Sequence, residues 1–292
     1  MDFYMEPIIK TENLTHAYSV GTAFERVAIR DINFQAYKGE YIAMIGHTGS
    51  GKSTLVGHLN GLNEPTSGRV LYCGEDIHKS KEFLRSIRFK VGMVFQYPEY
   101  QLFEETVEKD VAFGPKNMGL SEDETARRVE KSLEMVGIPR ELFKASPFEL
   151  SGGQKRMTAI AGVMAMEPEV LILDEPTAGL DPRGRDEILD YIDNYRRETG
   201  ATIIMVTHDM SAAAERADRL CVMHRGSLVI DDTPENVFSD PERMTELGLD
   251  IPDVTKIAVR LKAMGIDLGG GIYTVAKARD AILRLKGGRG GA

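Results

Sequence analysis

An α/β fold organised around a phosphate-binding loop is what this sequence predicts, and three observations carry the prediction. The stretch Gly46-His47-Thr48-Gly49-Ser50-Gly51-Lys52-Ser53 fits G-x-x-x-x-G-K-S at every position. The apolar run Tyr41-Ile42-Ala43-Met44-Ile45 precedes it, and Leu55, Val56 and Leu59 follow at helical spacing with Gly61 as a stop. Further on, Val170-Leu171-Ile172-Leu173 is continuously apolar, as a parallel strand covered on both faces requires, and it ends in Asp174-Glu175. Strand, glycine loop, helix is the context that separates such a loop from a glycine-rich turn. A dinucleotide loop would need its glycines as G-x-G-x-x-G, which they are not. Glycines let backbone N–H groups approach phosphates, and the helix start adds the positive end of a dipole. Lys52 is then the cation for the β- and γ-phosphates, and the Ser53 hydroxyl a ligand for Mg²⁺.

Composition narrows the class. The chain has 292 residues, with 42% hydrophobic and 28% charged, which is ordinary for a globular protein. Its length suits one large domain or two small ones. A net charge of −9 argues against sequence-blind nucleic-acid binding. Cys73 and Cys221 are isolated, which implies no disulfide framework and fits a reducing compartment. The N-terminal MDFYMEPIIK lacks a signal-peptide pattern, and no apolar run approaches the roughly 18 residues of a membrane span. The chain is therefore expected not to cross a membrane by itself.

The elements follow in order. Ile8 to Ala17, Arg30 to Ala36 and Tyr41 to Ile45 read as strands, with a turn at Tyr37-Lys38-Gly39-Glu40. Tyr18 has two readings, a ring for stacking on adenine or a half-buried strand-end tyrosine. Gly68 to Tyr72 and Val91 to Phe95 are short strands, and Gln96 stands at the carboxyl end of the second, where α/β sheets meet ligands. Between residues 99 and 110, Glu99, Glu104, Glu105, Glu108 and Asp110 face only Lys109. Such a run is ordinarily a solvated helix face. Ser121 to Glu124 reads as a capping box, opening a helix with Val129, Leu133 and Val136 inward and Gly137 at its end. Residues from about 100 to 165 are thus a mostly helical insertion.

Leu150-Ser151-Gly152-Gly153-Gln154 opens a helix rich in Ala and Met. It is either a second anion site or an ordinary N-cap with Gln154 completing a capping box. Two carboxylates at a strand end, Asp174 and Glu175, need a cation, and nucleotide-bound Mg²⁺ is the natural one. Asp181-Pro182 has the preferred order for a helix start. Thr202 to Val206 is another buried strand ending in Thr207-His208-Asp209; His208 shares a strand edge with Gln96 and Asp174, which favours a functional role. Arg219 to Met223 and Ser227 to Ile230 flank a hairpin turn at His224-Arg225-Gly226. Beyond about residue 235, prolines and glycines break the pattern. Val254 to Met264 is one amphipathic helix there, and Gly287 to Gly291 reads as flexible.

Taken together, the phosphate loop, Gln96, Leu150-Ser151-Gly152-Gly153-Gln154, Asp174-Glu175, Ala178-Gly179-Leu180-Asp181 and His208 come in the order of the ATP-binding-cassette (ABC) ATPases, which the chain resembles from residue 8 to about 235. The segments Ile45 to Thr54, Phe95 to Val107 and Phe113 to Gly119 look like the second ATPase subunit of energy-coupling factor importers of vitamins and transition-metal ions. One departure is Lys155-Arg156-Met157, where a Met-Arg-Arg-like run is expected. It is expected to alter only the surface of the signature helix.

The resemblance implies a P-loop NTPase nucleotide-binding domain over residues 5–240. It carries an N-terminal antiparallel β subdomain and a helical subdomain, and residues 241–292 form a small C-terminal extension that helps hold two ATPases together. It also implies roles. Gly46, His47, Thr48, Gly49, Ser50, Gly51, Lys52, Ser53 and Thr54 hold the phosphates of ATP, and Tyr18 stacks on adenine. Ser53, Gln96 and Asp174 hold Mg²⁺, Glu175 is the general base, and His208 contacts the γ-phosphate. Ser151, Gly153 and Gln154 close over ATP bound to a paralogous ATPase subunit. A transmembrane coupling subunit docks beside Gln96, with Glu99, Glu104 and Glu105 as acidic counterparts for its arginines. A substrate-binding membrane subunit is reached only indirectly, and nucleic acid is no partner. The expected location is the cytoplasmic face of the membrane, as a peripheral protein. Rival readings are a cassette ATPase of another transporter or of a nucleic-acid-linked kind, or a non-hydrolysing scaffold. The first lacks its coiled-coil insertion or second cassette here; the second conflicts with an intact Lys52, Glu175 and His208.

Overall fold

The computed structural model describes residues 6–288. Its strands are β1 (Ile9–Tyr18), β2 (Arg26–Ile32), β3 (Gln35–Ala36), β4 (Tyr41–Ile45), β5 (Ser67–Tyr72), β6 (Glu75–Asp76), β7 (Val91–Val94), β8 (Val170–Asp174), β9 (Thr202–Val206), β10 (Arg219–His224) and β11 (Ser227–Asp232). Its helices are α1 (Lys52–Leu59), α2 (Lys81–Lys90), α3 (Val107–Asn117), α4 (Glu122–Met135), α5 (Gly152–Met164), α6 (Pro182–Thr199), α7 (Met210–Arg216), α8 (Pro234–Phe238), α9 (Pro241–Glu246), α10 (Asp253–Ala263) and α11 (Val275–Gly288). Contacts divide the chain into two compact units. The first takes residues up to Glu40 together with Ser53–Val206, and the second takes Tyr41–Lys52 with the residues from Thr207 onward.

In the first unit an antiparallel sheet runs β2-β1-β5-β6, with β3 pairing β1. The expected single strand from Arg30 to Ala36 is two. Thr11 Oγ1 donates to Ile32 O and accepts from Phe34 N–H, so the side chain replaces ladder bonds and lets the chain step from β2 to β3. The same unit holds the parallel strands β7, β8 and β9, in register from Val91–Val170–Thr202 upward. Every residue of β8 and β9 is buried. Full burial of each Val, Leu or Ile is worth about 1.5–3 kcal/mol, and it explains the lack of alternation in their sequences.

Helices α3, α4 and α5 pack on one another as the inserted helical layer. Ser121 caps α4 by accepting from Glu124 N–H, but the expected reciprocal half of the box is replaced. The Glu124 carboxylate takes hydrogen bonds from Arg127 and Arg128 instead, which hold it down at about 2. Gly137 ends this stretch with φ +71°, and a Cβ there would lie 2.3 Å from the Tyr191 hydroxyl on α6.

In the second unit β4 pairs parallel with β10, and β10 turns antiparallel into β11. The turn residues Arg225 and Gly226 have φ +48° and +83°, the left-handed pair of a two-residue hairpin whose twist suits the strands. Ala43, Ile45, Ala213 and Val222 make a core that also takes in Val237, Phe238, Met244 and Leu249 from the α8–α9 region. Leu268, Ile272, Ala278 and Ala281 form a separate cluster, covered by Val254, Ala258 and Leu261 of α10. Helix α11 runs to Gly288, so Gly287 and Gly288 of the expected flexible tail are helical; residues 289–291 lie outside the described residues. Among the described residues no helix is long and apolar enough to cross a membrane.

Replacing Gly137 by Ala should lower stability by about 1–3 kcal/mol, through both the φ penalty and the overlap with Tyr191. Urea titration checks this. Adding Tyr191→Phe should recover part of the loss, since it removes the atom that the new Cβ meets.

Candidate functional site

The phosphate loop belongs to the second unit as far as Lys52. It leaves β4 at Gly46, where φ is +156° and a Cβ would sit 2.4 Å from the Met223 carbonyl oxygen and 2.7 Å from Ser50 Oγ. The backbone of β10 therefore passes too close for any side chain. The Gly226 N–H donates to Ser50 O at 2.9 Å, so the β10–β11 turn holds the loop from below. Ser50 is fully buried, and its hydroxyl has no hydrogen-bond partner among the described residues. Lys52 is buried too, its ammonium donating to the carbonyls of Gly46 (2.6 Å) and His47 (3.1 Å). Thr48 and Gly49 are exposed at the tip. An orphaned hydroxyl, a buried ammonium and a glycine-lined backbone fit a chain of phosphates. The His47 ring packs edge-to-face on His224, with centroids 5.2 Å apart. His208 is exposed just ahead of Asp209, which caps α7 by accepting from Ala212 N–H at 2.9 Å.

The other predicted residues lie in the first unit. Asp174, buried at the end of β8, and Glu175 just beyond it keep their expected place at a strand end. Gln96 comes to Glu175: its Nε2 donates to Glu175 Oε2 at 2.9 Å. Glu175 holds the left-handed φ of +51°, and Tyr97, next to Gln96, one of +54°. Each costs about 1–3 kcal/mol in a non-glycine residue and persists only where the surroundings enforce it. The Ser53 hydroxyl, the Gln96 amide oxygen and the Asp174 carboxylate are hard oxygen donors, the chemistry Mg²⁺ prefers. The Tyr18 hydroxyl lies 3.2 Å from Thr54 Oγ1, and its ring meets His16 edge-on while remaining 47% exposed.

Of the two readings left open for Ser151, the N-cap is the one that the structure forms. A full capping box forms, Gln154 N–H donating to Ser151 Oγ and Ser151 N–H to Gln154 Oε1. The Gln154 side chain is thus engaged in its own helix cap, while Gly152 and Gly153 are exposed and a Cβ on either would meet open space.

Two expectations change. Met157 is only 8% exposed, so that part of the departure from the expected Met-Arg-Arg run lies inside the protein, while Lys155 is half-buried and Arg156, which keeps the expected residue type, is 3% exposed. Arg156 is paired with Glu99 through a two-point fork of 2.5 and 2.9 Å. Glu99 is consequently neither a solvated helix acid nor a free counterpart for a partner's arginine. Burial pushes its carboxyl up, but the hydrogen bonds of Arg156, its own backbone N–H and Coulomb attraction outweigh this and leave it below the ordinary value. The rest of the acidic run also differs from a helix face. Asp110 turns back to accept from Phe103 and Glu104 N–H, and the run is broken between a short 3-10 turn at Pro98–Gln101 and the α-helix that starts at Val107. Sequence reading missed the role of Arg156; its one signal was an unpaired cation on an otherwise apolar helix face.

A phosphate loop, an acidic end to a buried parallel strand and a capped glycine helix start define an ATPase of the ATP-binding-cassette class. The ABC transporter family model matches residues 29–178, and an energy-coupling factor transporter ATP-binding protein EcfA2 of Clostridium tetani is 53% identical over 95% of this chain and 96% of its own. The chain belongs to the ABC transporter family, as an energy-coupling factor type ATP-binding subunit. Among solved structures, cbiO1 of Clostridium perfringens, part of the ABC transporter complex cbiONQ, matches with a TM-score of 0.74 at 41% identity, covering 86% of this chain and 98% of that one. The ATP-binding cassette MJ0796, solved as a dimer in a post-hydrolysis state with ADP and Pi, matches with a TM-score of 0.70 at 28% identity over 77% of this chain and 98% of that one.

Because Glu99 titrates below its ordinary value when folded, its contribution is present at neutral pH and disappears as pH falls through the folded value. Denaturant stability measured from neutral pH into the acid range should decline. Glu99→Gln should flatten part of that decline and cost about 2–4 kcal/mol at neutral pH, because it leaves a buried guanidinium without its charge partner.

Proposed function

We propose that this chain binds and hydrolyses ATP to drive import of a vitamin or a transition-metal ion. The observation that carries the catalytic part is the Gln96–Glu175 hydrogen bond of 2.9 Å beside the buried carboxylate of Asp174. Gly46 to Thr54 bind the phosphates, with Lys52 as their cation, and Tyr18 stacks on the adenine. Ser53, Gln96 and Asp174 hold Mg²⁺, which when bound neutralises charge developing on the phosphates. Glu175 takes the proton of the attacking water, and Gln96 orients that carboxylate. His208 hydrogen-bonds the γ-phosphate and helps place the water.

Residues 5–240 serve as the nucleotide-binding domain and 241–292 as an extension. The working form is a dimer with a paralogous ATPase, in which Ser151, Gly153 and Gln154 of one chain face ATP on the other. The dimeric state of MJ0796 with ADP and Pi supports this arrangement. A transmembrane subunit supplies the pathway, and a substrate-binding membrane subunit is reached through it, as membership of cbiO1 in a transporter complex supports. Nucleic acid is not a partner, and the location is the cytoplasmic face of the membrane. A docking face for the membrane subunit is supported by two pairs of exposed aromatics that follow Gln96 in the chain, Tyr97 (41%) with Tyr100 (84%) and Phe103 (58%) with Phe113 (49%). Glu104 and Glu105 supply its negative charge.

Glu175→Gln should bind ATP normally and lose turnover by roughly 10²–10⁴-fold, the usual weight of a general base. Phosphate-release kinetics beside nucleotide binding test this, and near-normal hydrolysis would move the base elsewhere. Reversing the charges of Glu104 and Glu105 should lower recovery of the chain with its membrane subunit in pull-downs while leaving folding intact.

A further inference from the structure

We propose that Arg156 is a positioning residue for hydrolysis, fixing the backbone on both sides of the Gln96–Glu175 contact and so holding the Glu175 carboxylate in its working place. The proposal rests on Glu175 being the general base. Arg156 sits on the second turn of α5, and its side chain is almost fully buried. One edge of the guanidinium forks onto Glu99. Its Nη1 donates to the carbonyl oxygens of Ala178 at 2.5 Å and Pro176 at 3.4 Å. The group also lies 5.6 Å from the centre of the Tyr97 ring.

The pattern is symmetric about the catalytic contact. Tyr97 and Glu99 are the first and third residues after Gln96; Pro176 and Ala178 are the first and third after Glu175. One planar cation therefore holds the segment behind each partner of the hydrogen bond. Both segments are also where the backbone is strained, at Tyr97 and Glu175, so each needs outside bonds to stay in place. The turn after Glu175 has a bond of its own, Ala178 N–H to Glu175 O at 3.1 Å, which transmits the grip of Arg156 directly to that residue. Lysine cannot substitute. Its ammonium is a point charge without the fork that reaches a carboxylate and two carbonyls together. Because Arg156 lies on the helix that Ser151 caps, a shift of that helix would pull on Gln96 and Glu175 at once.

The test uses the full chain in its purified ATPase complex, comparing Arg156→Lys, Glu99→Asp, Gln96→Ala, Glu175→Gln and the double variant Arg156→Lys/Gln96→Ala. Turnover, affinity for a fluorescent ATP analogue and thermal unfolding are measured for each. Arg156→Lys should keep nucleotide affinity within about twofold and cooperative unfolding, yet lose about 10–100-fold in kcat, the scale of a misplaced catalytic group. The double variant should be little worse than the poorer single one, since both act through the same contact. Glu99→Asp, which draws the carboxylate back by one methylene, should lose kcat in the same selective way and answers the question if Arg156→Lys does not fold. Unchanged kcat in the folded variants, a loss of affinity equal to the loss of kcat, or simple additivity with Gln96→Ala would each overturn the proposal. If Glu175→Gln retains turnover, the general-base reading fails and takes this one with it. Lost turnover in Glu175→Gln beside normal turnover in Arg156→Lys overturns this proposal alone.

Discussion

A strand buried on both faces can offer chemistry only where it stops, and that constraint governs the first unit. From Val170 to Leu173 no side chain of β8 has access to water, so the first polar groups the strand can present are Asp174 and Glu175. The parallel register then sets their neighbours. β7 runs beside β8 with Val94 opposite Leu173, so the chain leaving β7 brings Gln96 to the same edge as Glu175. Hydrophobic burial thus decides where the polar residues meet, before any of them makes a bond.

Burying the Glu99 carboxylate has an electrostatic cost, and the protein offsets it with a cation taken from a helix. Arg156 is buried among groups that would otherwise be poorly satisfied: the Glu99 carboxylate and the carbonyls of Pro176 and Ala178. A buried ion pair of this kind is weak evidence for extra stability, since desolvation consumes much of its attraction. Its value here is geometric, because a planar fork accepts few alternative arrangements. The second unit solves the matching problem at Lys52 with carbonyls of its own loop.

Much of the fold was legible because the signals were local. The phosphate loop, the uninterrupted run of β8, the Asp181 cap and the hairpin at Arg225-Gly226 each follow from residues within a few positions of one another. What was not legible depended on partners distant in sequence. The break between β2 and β3 comes from Thr11, more than twenty residues upstream. Glu99 read as a solvated acid because Arg156 lies 57 residues away. Glu124 was drawn off its capping role by Arg127 and Arg128, a competition that motif matching ignores. Past residue 235 the prolines read as breakers, yet Pro241 opens a helix from its first turn, where a missing N–H costs nothing, and Pro252 stands at the N-cap of α10.

The clasp between Gly226 and Ser50 bears on how the chain is made. The ribosome releases the phosphate loop early, but β10 and the turn that supports the loop emerge some 175 residues later. Until then Gly46 lacks the neighbouring backbone at Met223, and Ser50 lacks the N–H that fixes its carbonyl. A nascent chain halted before Gly226 would carry the whole motif without a formed cradle. Nucleotide can therefore help select the native state only near the end of synthesis.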